Sequence, residues 1–209
     1  MAQQDKQLSV FPAFFKVENE VTAVFGNGDE AYAKARLLKN TEARIVGDDG
    51  NDCGPDQIGE LWVAGPNITP GYGTRPDATA GAFAGRWLKT GDAARRDAEG
   101  FYYIVDRWKD MYISGGENVY PAEVEGVLNE IAGVAESAVV GVPHPDFGEV
   151  GVAVIIAKPG ATVDPDRVIA ELKAKLANFK IPKRCVVVAE LPRNTMGKVQ
   201  KNLLRDQYK

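Results

Sequence analysis

The sequence predicts an α+β fold, in which a β-rich segment precedes a small C-terminal domain of mixed helices and strands. Residues 42–108 contain short apolar runs separated by turns rich in Gly, Pro and Asp, which is typical of strands joined by loops. Residues 109–209 combine stretches of helical periodicity with runs of Val and Ile. The boundary is expected near Asp106–Asp110. Residues 1–41 stay unassigned, apart from a helix-favouring stretch at Asp29–Leu38.

The β-rich segment is predicted to begin with two strands, at residues 42–46 and 58–65, separated by a Gly- and Asp-rich turn. Residues 65–81 carry several Pro, Gly and Asn residues and are predicted to form a loop. Residues 85–107 then indicate a strand, a turn and a second strand. The turn is placed at Asp97–Gly100, because Asp and Gly favour tight turns.

Two amphipathic helices are predicted in the second part. They begin at Pro121 and Pro165, since Pro suits the first turn of a helix, and Asp164 is the expected N-cap of the second. Their apolar residues recur at helical spacing and should be buried. These residues are Val124, Val127, Leu128 and Ile131 in the first helix, and Val168, Leu172 and Leu176 in the second.

Three strands and a short final helix complete the prediction. Residues 135–142 and 149–157 are rich in Val and Ile and should pair as core strands around a turn at His144–Gly148. Residues 184–191 form a further apolar strand candidate. Residues 199–209 follow a turn-forming sequence and are predicted to be helical.

The composition excludes several classes of function. Hydrophobic residues make up 44% of the chain and charged residues 26%, and no apolar run approaches the ~18–20 residues of a membrane-spanning helix. The net charge of −4 argues against nucleic acid as a principal partner. Cys53 and Cys185 are too few and too far apart for a disulfide framework or a zinc site. Together with the lack of a secretory signal, they favour the cytoplasm.

The chain contains a single histidine, His144, which makes histidine-based triads and multi-histidine metal sites unsuitable. His144 lies in the sequence HPDFG between two predicted strands and is interpreted as a turn residue. We therefore expect no metal site built from protein side chains.

Lys198 ends the turn-forming sequence PRNTMGK, from which a flexible side chain could carry a positive charge into a cleft. Such a charge stabilises negative charge that develops on a phosphate or a carboxylate. The alternative is an ordinary surface lysine, because most lysines are exposed.

Asp92 and Arg107 are candidates for binding hydroxyl groups. Asp92 follows an apolar stretch and is expected at a strand end, where its carboxylate could accept hydrogen bonds from the two hydroxyls of a ribose. It could equally satisfy its own backbone in a turn. Arg107 offers a planar fork to oxygen atoms, or forms a salt bridge with Asp106 or Asp110.

The sequence Ser114-Gly115-Gly116-Glu117 lies between two strand-like segments. A glycine pair lets a backbone approach a ligand closely, although it also commonly forms a plain hairpin turn. Neither GxxxxGK[ST] nor GxGxxG occurs in the sequence, so the nucleotide-binding folds that these motifs signal find no support.

Taken together and in order, these segments resemble the adenylate-forming superfamily of acyl-CoA synthetases, luciferases and peptide-synthetase adenylation domains. The resemblance runs from about Glu42 to the end of the chain, and SGGENVYPAEVE is most similar to the fatty and medium-chain acyl-CoA ligase branch. The matching segments are IGELWVAGPNITPGY, WLKTGDAARRDAEGFYYIVDRWKDMYISGGENVYPAEVE and LPRNTMGKVQK.

The resemblance implies a role for each matching residue. Asp92 would bind the ribose hydroxyls of ATP and of the acyl-adenylate, assisted by Arg107. Lys198 would contact the substrate carboxylate and the nucleotide phosphate. Lys109 would be the hinge about which the small domain rotates between half-reactions. The loop that lines the pantetheine tunnel of CoA would consist of Ser114, Gly115, Gly116 and Glu117.

The resemblance also implies substrates and a longer parent protein. A carboxylic acid, ATP with Mg²⁺, and CoA would be the reactants, and residues 42–108 would be the β-rich end of a large AMP-binding domain. Residues 1–41 contain no phosphate loop or adenine-contacting segment of the family type. We therefore expect a truncated acyl-CoA synthetase that is inactive alone. Alternatives are a non-catalytic module that docks on a separate large domain, and a luciferase-like or carrier-linked adenylating enzyme.

Overall fold

A computed structural model describes residues 41–66 and 68–209 of the protein. The chain divides into two compact units between Ile104 and Val105, and each unit is described by itself. The division lies on the N-terminal side of the expected boundary. The helix-favouring stretch at Asp29–Leu38 lies outside the described residues. The predicted α+β class is confirmed, with strands outnumbering helices.

The first unit is built on a five-stranded sheet with the strand order β1-β2-β4-β3, in which β5 also pairs with β4. The pairs β1/β2, β2/β4 and β3/β4 are antiparallel. The strands expected in this region are therefore confirmed. A short additional strand, β3, precedes β4 in the sequence and pairs with it. The strands are β1 (Glu42–Val46), β2 (Gly59–Ala64), β3 (Phe83–Ala84), β4 (Trp87–Arg96) and β5 (Tyr102–Arg107).

One side of this sheet carries a small core. Ile45, Leu61, Ala94 and Tyr102 come from four different strands and are buried together. The hydroxyl of Tyr102 donates a hydrogen bond to the carbonyl oxygen of Ala43 at 2.9 Å. This bond satisfies the polar end of a buried ring, which would otherwise lose its hydration without compensation.

The prediction of a loop over residues 65–81 is wrong in its second half, where Pro76–Ala82 form helix α1. Pro76 occupies the first helical turn and Asp77 stands near the positive end of the helix. The hydroxyl of Thr79 accepts a hydrogen bond from the Tyr72 amide at 2.9 Å and donates one to the Arg75 carbonyl at 3.0 Å. The helix buries none of its residues, so the apolar periodicity that would have revealed it is absent.

The second unit is a sheet covered by helices. Strand β9 pairs in parallel with β10 and antiparallel with β8, while β6 meets β9 at one bridge and pairs with β7. Its strands are β6 (Tyr112–Ser114), β7 (Glu117–Val119), β8 (Val134–His144), β9 (Gly148–Ala157) and β10 (Arg184–Val188). Its helices are α2 (Pro121–Glu130), α3 (Pro165–Lys175) and α4 (Lys201–Tyr208), with 3-10 turns at Trp108–Asp110 and Asn178–Lys180.

Both predicted helix starts are confirmed. Helix α2 begins at Pro121 and buries Val124 and Leu128. Helix α3 begins at Pro165, and the side chain of Asp164 accepts the Asp166 amide at 3.0 Å as its N-cap. The predicted turn at His144–Gly148 joins β8 and β9, whose residues pair in register from His144 and Gly148 inward.

Alternate residues of β8 and β9 enter two different cores. Val139 and Ile155 pack with Leu128 of α2 and with α3 residues on one face. Val140 and Val154 pack with Leu204 of α4 on the other face. Because both faces of these strands are covered, they read as continuous apolar runs rather than as alternating ones.

Two further expectations concern the chain as a whole. Cys53 and Cys185 are free thiols, as predicted. Burial raises the pKa of the Cys185 thiol to about 11, which keeps it protonated at neutral pH. No helix within the described ranges is long and apolar enough to cross a bilayer.

Candidate active site

The loop that presents Lys198 is closed by Asn194. The side-chain oxygen of Asn194 accepts the backbone amides of Met196 and Lys198, both at 3.0 Å. Its backbone amide donates to the Lys198 carbonyl at 2.9 Å, and its carbonyl accepts the Gly197 amide at 2.9 Å. Gly197 has φ = 77°, a conformation that glycine adopts without strain. The backbone of Lys198 is therefore fixed, although its side chain is exposed.

A pocket of about 560 Å³ lies in front of this loop, within the second unit. Its lining comes from the 3-10 turn after β5, from the Lys198 loop and from the start of α4. Five lining residues are cations and one is an acid, which makes the pocket positively charged. The cations are Arg107, Lys109, Lys198, Lys201 and Arg205, and the acid is Asp110.

Two of these cations are neutralised by the fold. The ammonium of Lys201 lies 2.7 Å from the Glu125 carboxylate, and both side chains are largely buried, at 16% and 17% exposure. The guanidinium of Arg205 lies 3.9 Å from Asp110. These contacts tie α4 to α2 and to the 3-10 turn. Within the described ranges, Lys109 and Lys198 have no carboxylate within ion-pair distance, so their charge is available to a ligand.

The segment around Arg107 is anchored within the second unit. One oxygen of Asp106 accepts the backbone amide of Arg107, and the other accepts the Ala122 amide at the start of α2, both at 2.7 Å. Asp110, the second acid considered as a partner for Arg107, contacts Arg205. Arg107 and Lys109 are thereby brought to the same pocket as Lys198.

Asp92 lies in the first unit, inside β4 rather than at a strand end as predicted. The register of β2 and β4 shifts there, because Glu60 pairs with Ala93 whereas Trp62 pairs with Lys89. The extra residues form a β-bulge, a device that redirects side chains and is frequent beside active sites.

Contacts within the bulge fix its backbone. The Thr90 hydroxyl donates to the Leu61 carbonyl at 2.8 Å and accepts the Asp92 amide at 3.1 Å. Gly91 has φ = 73°, and its amide donates to the Glu60 carboxylate at 3.2 Å. The partly exposed Asp92 carboxylate is therefore carried by a rigid backbone.

The segment Ser114–Glu117 forms the hairpin turn between β6 and β7, as the plain structural interpretation predicted. Gly115 and Gly116 have φ values of 61° and 88°, so both use the left-handed region that a two-residue hairpin favours. The Gly115 amide donates to the Phe147 carbonyl at 2.9 Å. These residues do not line the pocket around Lys198.

His144 ends β8 and takes part in the turn that follows. Its Nδ1 accepts the Asp146 amide at 3.2 Å, and its ring lies 5.2 Å from the ring of Phe147. The prediction of a turn residue is wrong by one position, because His144 pairs with Gly148 as the last residue of the strand and only its side chain bonds the turn. Across the described chain, no three His, Cys, Asp or Glu side chains converge as a metal site.

Several pocket residues were missed at the level of the sequence. Lys201 and Arg205 stand four residues apart and share one side of α4, which the sequence could have indicated. Asn194, three residues before Gly197, carries the signature of an Asx turn. Asp110 offered no separate signal, because its role depends on where α4 packs.

Comparison with known families decides what kind of domain holds this pocket. The family described as "AMP-binding enzyme C-terminal domain" matches residues 123–198, a range that includes most of α2 and ends at Lys198. Residues 123–198 match the C-terminal domain of the AMP-binding enzymes. The sequence resemblance to the adenylate-forming superfamily is thereby confirmed.

The curated relatives of this AMP-binding enzyme domain are CoA ligases. The chain is 44% identical over 168 residues to a feruloyl-CoA synthase of an Amycolatopsis species, covering 80% of this chain and 34% of the relative. It is 45% identical over 206 residues to a ligase of Rhodococcus jostii that joins a methyl-dioxo-octahydroindenyl propanoyl group to CoA, covering 96% and 38%. The chain thus spans about a third of the length of these relatives.

Solved structures of AMP-binding enzymes also match this chain over about a third of their length. The ATP-bound MatB of Rhodopseudomonas palustris matches with a TM-score of 0.76 and 44% identity, covering 82% of this chain and 34% of that one. The o-succinylbenzoate CoA synthetase of Bacillus subtilis, in complex with its acyl-adenylate intermediate, matches with a TM-score of 0.75 and 41% identity over 81% of this chain and 34% of its own. The α+β architecture is therefore that of the AMP-binding enzymes.

Proposed function

We propose that this chain supplies the C-terminal catalytic part of an ATP-dependent acid–CoA ligase. In the first half-reaction, a carboxylate oxygen attacks the α-phosphorus of ATP, and pyrophosphate leaves as acyl-AMP forms. In the second, the CoA thiol attacks the acyl carbon and AMP leaves. The observation that carries the proposal is the position of Lys198, on a loop closed by Asn194, at a pocket lined by five cations.

Lys198 is the proposed catalytic residue of the first half-reaction. Negative charge builds up between the carboxylate, the α-phosphate and the departing pyrophosphate, and a fixed cation there lowers the energy of the transition state. The ordered backbone and exposed side chain of Lys198 suit this task, because the charge is delivered from a defined position.

Asp92 and Arg107 are the proposed ribose-binding pair. A carboxylate accepts hydrogen bonds from two neighbouring hydroxyls, and a guanidinium donates to the same oxygens. The bulge of β4 supports the role of Asp92, and the position of Arg107 at the Lys198 pocket supports its role beside the nucleotide.

Lys109 and the β6–β7 hairpin are proposed to serve the change between half-reactions. Lys109 lies in a single-turn 3-10 helix just after β5 and is the proposed hinge. The hairpin Ser114–Glu117 is proposed to line the pantetheine tunnel, because two glycines in the left-handed region leave its backbone bare on one side.

The substrate class that we propose is a carboxylic acid. The relatives named for feruloyl-CoA, indoleacetate and long-chain fatty acids share that group. Within this class, the sequence SGGENVYPAEVE favours the fatty and medium-chain branch. Mg²⁺ is the proposed counter-ion of ATP. The two free thiols support the expectation of a reducing, cytoplasmic setting.

A large domain completes the proposed site, either on the same polypeptide or as a separate chain that this one docks on in trans. Groups that hold the β- and γ-phosphates and the acyl chain belong to that domain in the proposal. The 209 residues tested alone should therefore show no ATP–pyrophosphate exchange with a fatty acid. Exchange by the isolated chain would contradict this part of the proposal.

A chimera provides the direct test of function. The segment of the Amycolatopsis feruloyl-CoA synthase that aligns with this chain is replaced by residues 42–209, and feruloyl-CoA formation is measured against the parent enzyme. The proposal predicts feruloyl-CoA synthesis by the chimera. A folded chimera that binds ATP but forms neither feruloyl-AMP nor, from supplied feruloyl-AMP, the thioester would contradict it.

A further inference from the structure

A single arginine connects the Lys198 loop to the body of the second unit. Nη1 of Arg193 donates to the carbonyl oxygen of Gly197 at 2.7 Å. Nη2 of the same guanidinium donates to Oε1 of Glu136 at 2.5 Å and also contacts Oε2. One planar group therefore holds the residue immediately before Lys198 and, at the same time, a carboxylate on β8.

The carboxylate that Arg193 contacts belongs to Glu136, which lies on a well-packed strand, β8. Glu136 pairs with Ile156 of β9, and its neighbours Ser137 and Ala138 are 9% and 1% exposed. Strand β8 lies against α2 on one face and α4 on the other. The bond from Arg193 to Glu136 therefore connects the loop to a strand that helices cover on both faces.

The ion pair alone would contribute little. Arg193 and Glu136 are 41% and 37% exposed, and exposed pairs are screened by water and salt. The bond to the Gly197 carbonyl changes its significance, because it links the pair to the loop backbone. Arg193 and Val199 also form an isolated antiparallel bridge, so both ends of the loop meet at the residue that carries this guanidinium.

Asn194 and Arg193 fix different properties of the loop. Among the residues that the structure describes, Asn194 bonds only to the loop itself, so it sets the internal shape. Arg193 bonds to the loop and to β8, so it sets the position of that shape relative to the sheet. Without the second restraint, the loop would open more often, and its lysine would occupy varied positions.

We propose that Arg193 and Glu136 are positioning residues that hold the Lys198 loop in the place required for adenylation. The proposal rests on the function proposed above, in which Lys198 acts only in the first half-reaction. Catalytic groups are sensitive to displacements of about 1 Å, so a loosened loop should slow acyl-AMP formation. Thioester formation from supplied acyl-AMP does not use Lys198 and should be spared.

The first test measures backbone hydrogen exchange in the 209-residue chain and needs no activity. In Arg193→Met, the amides of Gly197 and Lys198 should exchange about fivefold faster or more. The loop would lose the charged hydrogen bond to the Gly197 carbonyl and would open more often, which breaks the bonds of these amides to Asn194. Lys175→Met is the matched control, because it removes the exposed Lys175–Glu130 ion pair of the same unit at 3.0 Å without touching the loop. Equal exchange at Gly197 and Lys198 in Arg193→Met and the unaltered chain would contradict the proposal that Arg193 and Glu136 hold the loop in place.

A charge-swapped variant distinguishes the hydrogen bond of Arg193 to the loop from the effect of the ion pair alone. Arg193→Glu combined with Glu136→Arg keeps an ion pair, but a glutamate at position 193 cannot donate to the Gly197 carbonyl. The loop amides should therefore stay fast in the double variant. Exchange restored to the original rate would show that net charge alone orders the loop, which contradicts the proposal.

The second test compares the two half-reactions in the chimeric ligase that carries residues 42–209. Arg193→Met should lower acyl-AMP formation about tenfold and change thioester formation from supplied acyl-AMP less than about twofold. Lys175→Met should change neither. Equal loss in both half-reactions would contradict a positioning role. If Arg193→Met alters exchange but the unaltered ligase does not form acyl-AMP, the proposed function is refuted, while the restraint of the loop by Arg193 is supported.

Discussion

At the scale of single residues, Tyr112 shows how tightly the second unit is packed. Its side chain is 2% exposed and lies across Gly141 and Gly151, where an added Cβ would meet the tyrosine ring or hydroxyl. Its hydroxyl has no hydrogen-bond partner in the described part of the chain. Burial, with a contribution from the Glu149 carboxylate, raises the pKa of the Tyr112 hydroxyl.

Replacing this hydroxyl should not weaken the fold. Tyr112→Phe is expected to raise the free energy of unfolding by about 1 kcal/mol, because a buried, unpaired hydroxyl is removed and the ring is kept. Gly141→Ala is the contrasting variant and should lower it by about 1–3 kcal/mol through overpacking. Urea unfolding measures both. A loss of about 1 kcal/mol or more in Tyr112→Phe would show that the hydroxyl forms a bond in solution.

At the scale of elements, the turn between β4 and β5 is organised by one carboxylate. Asp97 accepts the amides of Glu99 and Phe101 at 3.0 and 2.9 Å, and the Tyr103 hydroxyl at 2.8 Å. Partial burial raises the pKa of Asp97, but the hydrogen bonds from Phe101, Tyr103 and Glu99 outweigh it and lower the pKa below its usual value.

This lowered pKa predicts a pH dependence. The stabilisation by ionised Asp97 is fully present above the ordinary carboxyl pKa of about 4 and is lost as the pH falls through the lower pKa of the folded state. Asp97→Asn should therefore flatten the acid-side decline in the stability of the first unit. Unfolding between pH 3 and pH 7, followed by tryptophan fluorescence, measures this. Glu99→Gln is the control, and a decline equally steep in Asp97→Asn would contradict the assignment.

Elements also show what the sequence could predict. Helices α2 and α3 carry apolar residues at helical spacing and Pro at their starts, and both were predicted correctly. Helix α1 lacks a buried face, so its Pro and Gly residues favoured a loop. The turn at Lys198 was predictable from its composition. The sequence could not predict that Lys201, Arg205 and Arg107 meet at one pocket, because their meeting depends on how α4 packs against β8.

At the scale of the whole molecule, the chain consists of two units that would have different tasks. The first presents Asp92 on the bulge of a sheet, and the second presents Lys198 at a basic pocket. The division at Ile104 and Val105 falls within β5, just before Arg107 and Lys109. A chain of net charge −4 concentrates five cations at one pocket, which we propose binds nucleotide phosphates.

Lys198 is the central residue of the proposed chemistry, and one measurement tests its role directly. Acyl-AMP formation and thioester formation from supplied acyl-AMP are compared in the chimeric ligase with Lys198→Ala and with Lys173→Ala, a surface lysine of α3, as control. We predict that Lys198→Ala lowers acyl-AMP formation at least about 100-fold, while thioester formation stays within about threefold of the original. Equal loss of both half-reactions, or full adenylation without Lys198, would contradict it.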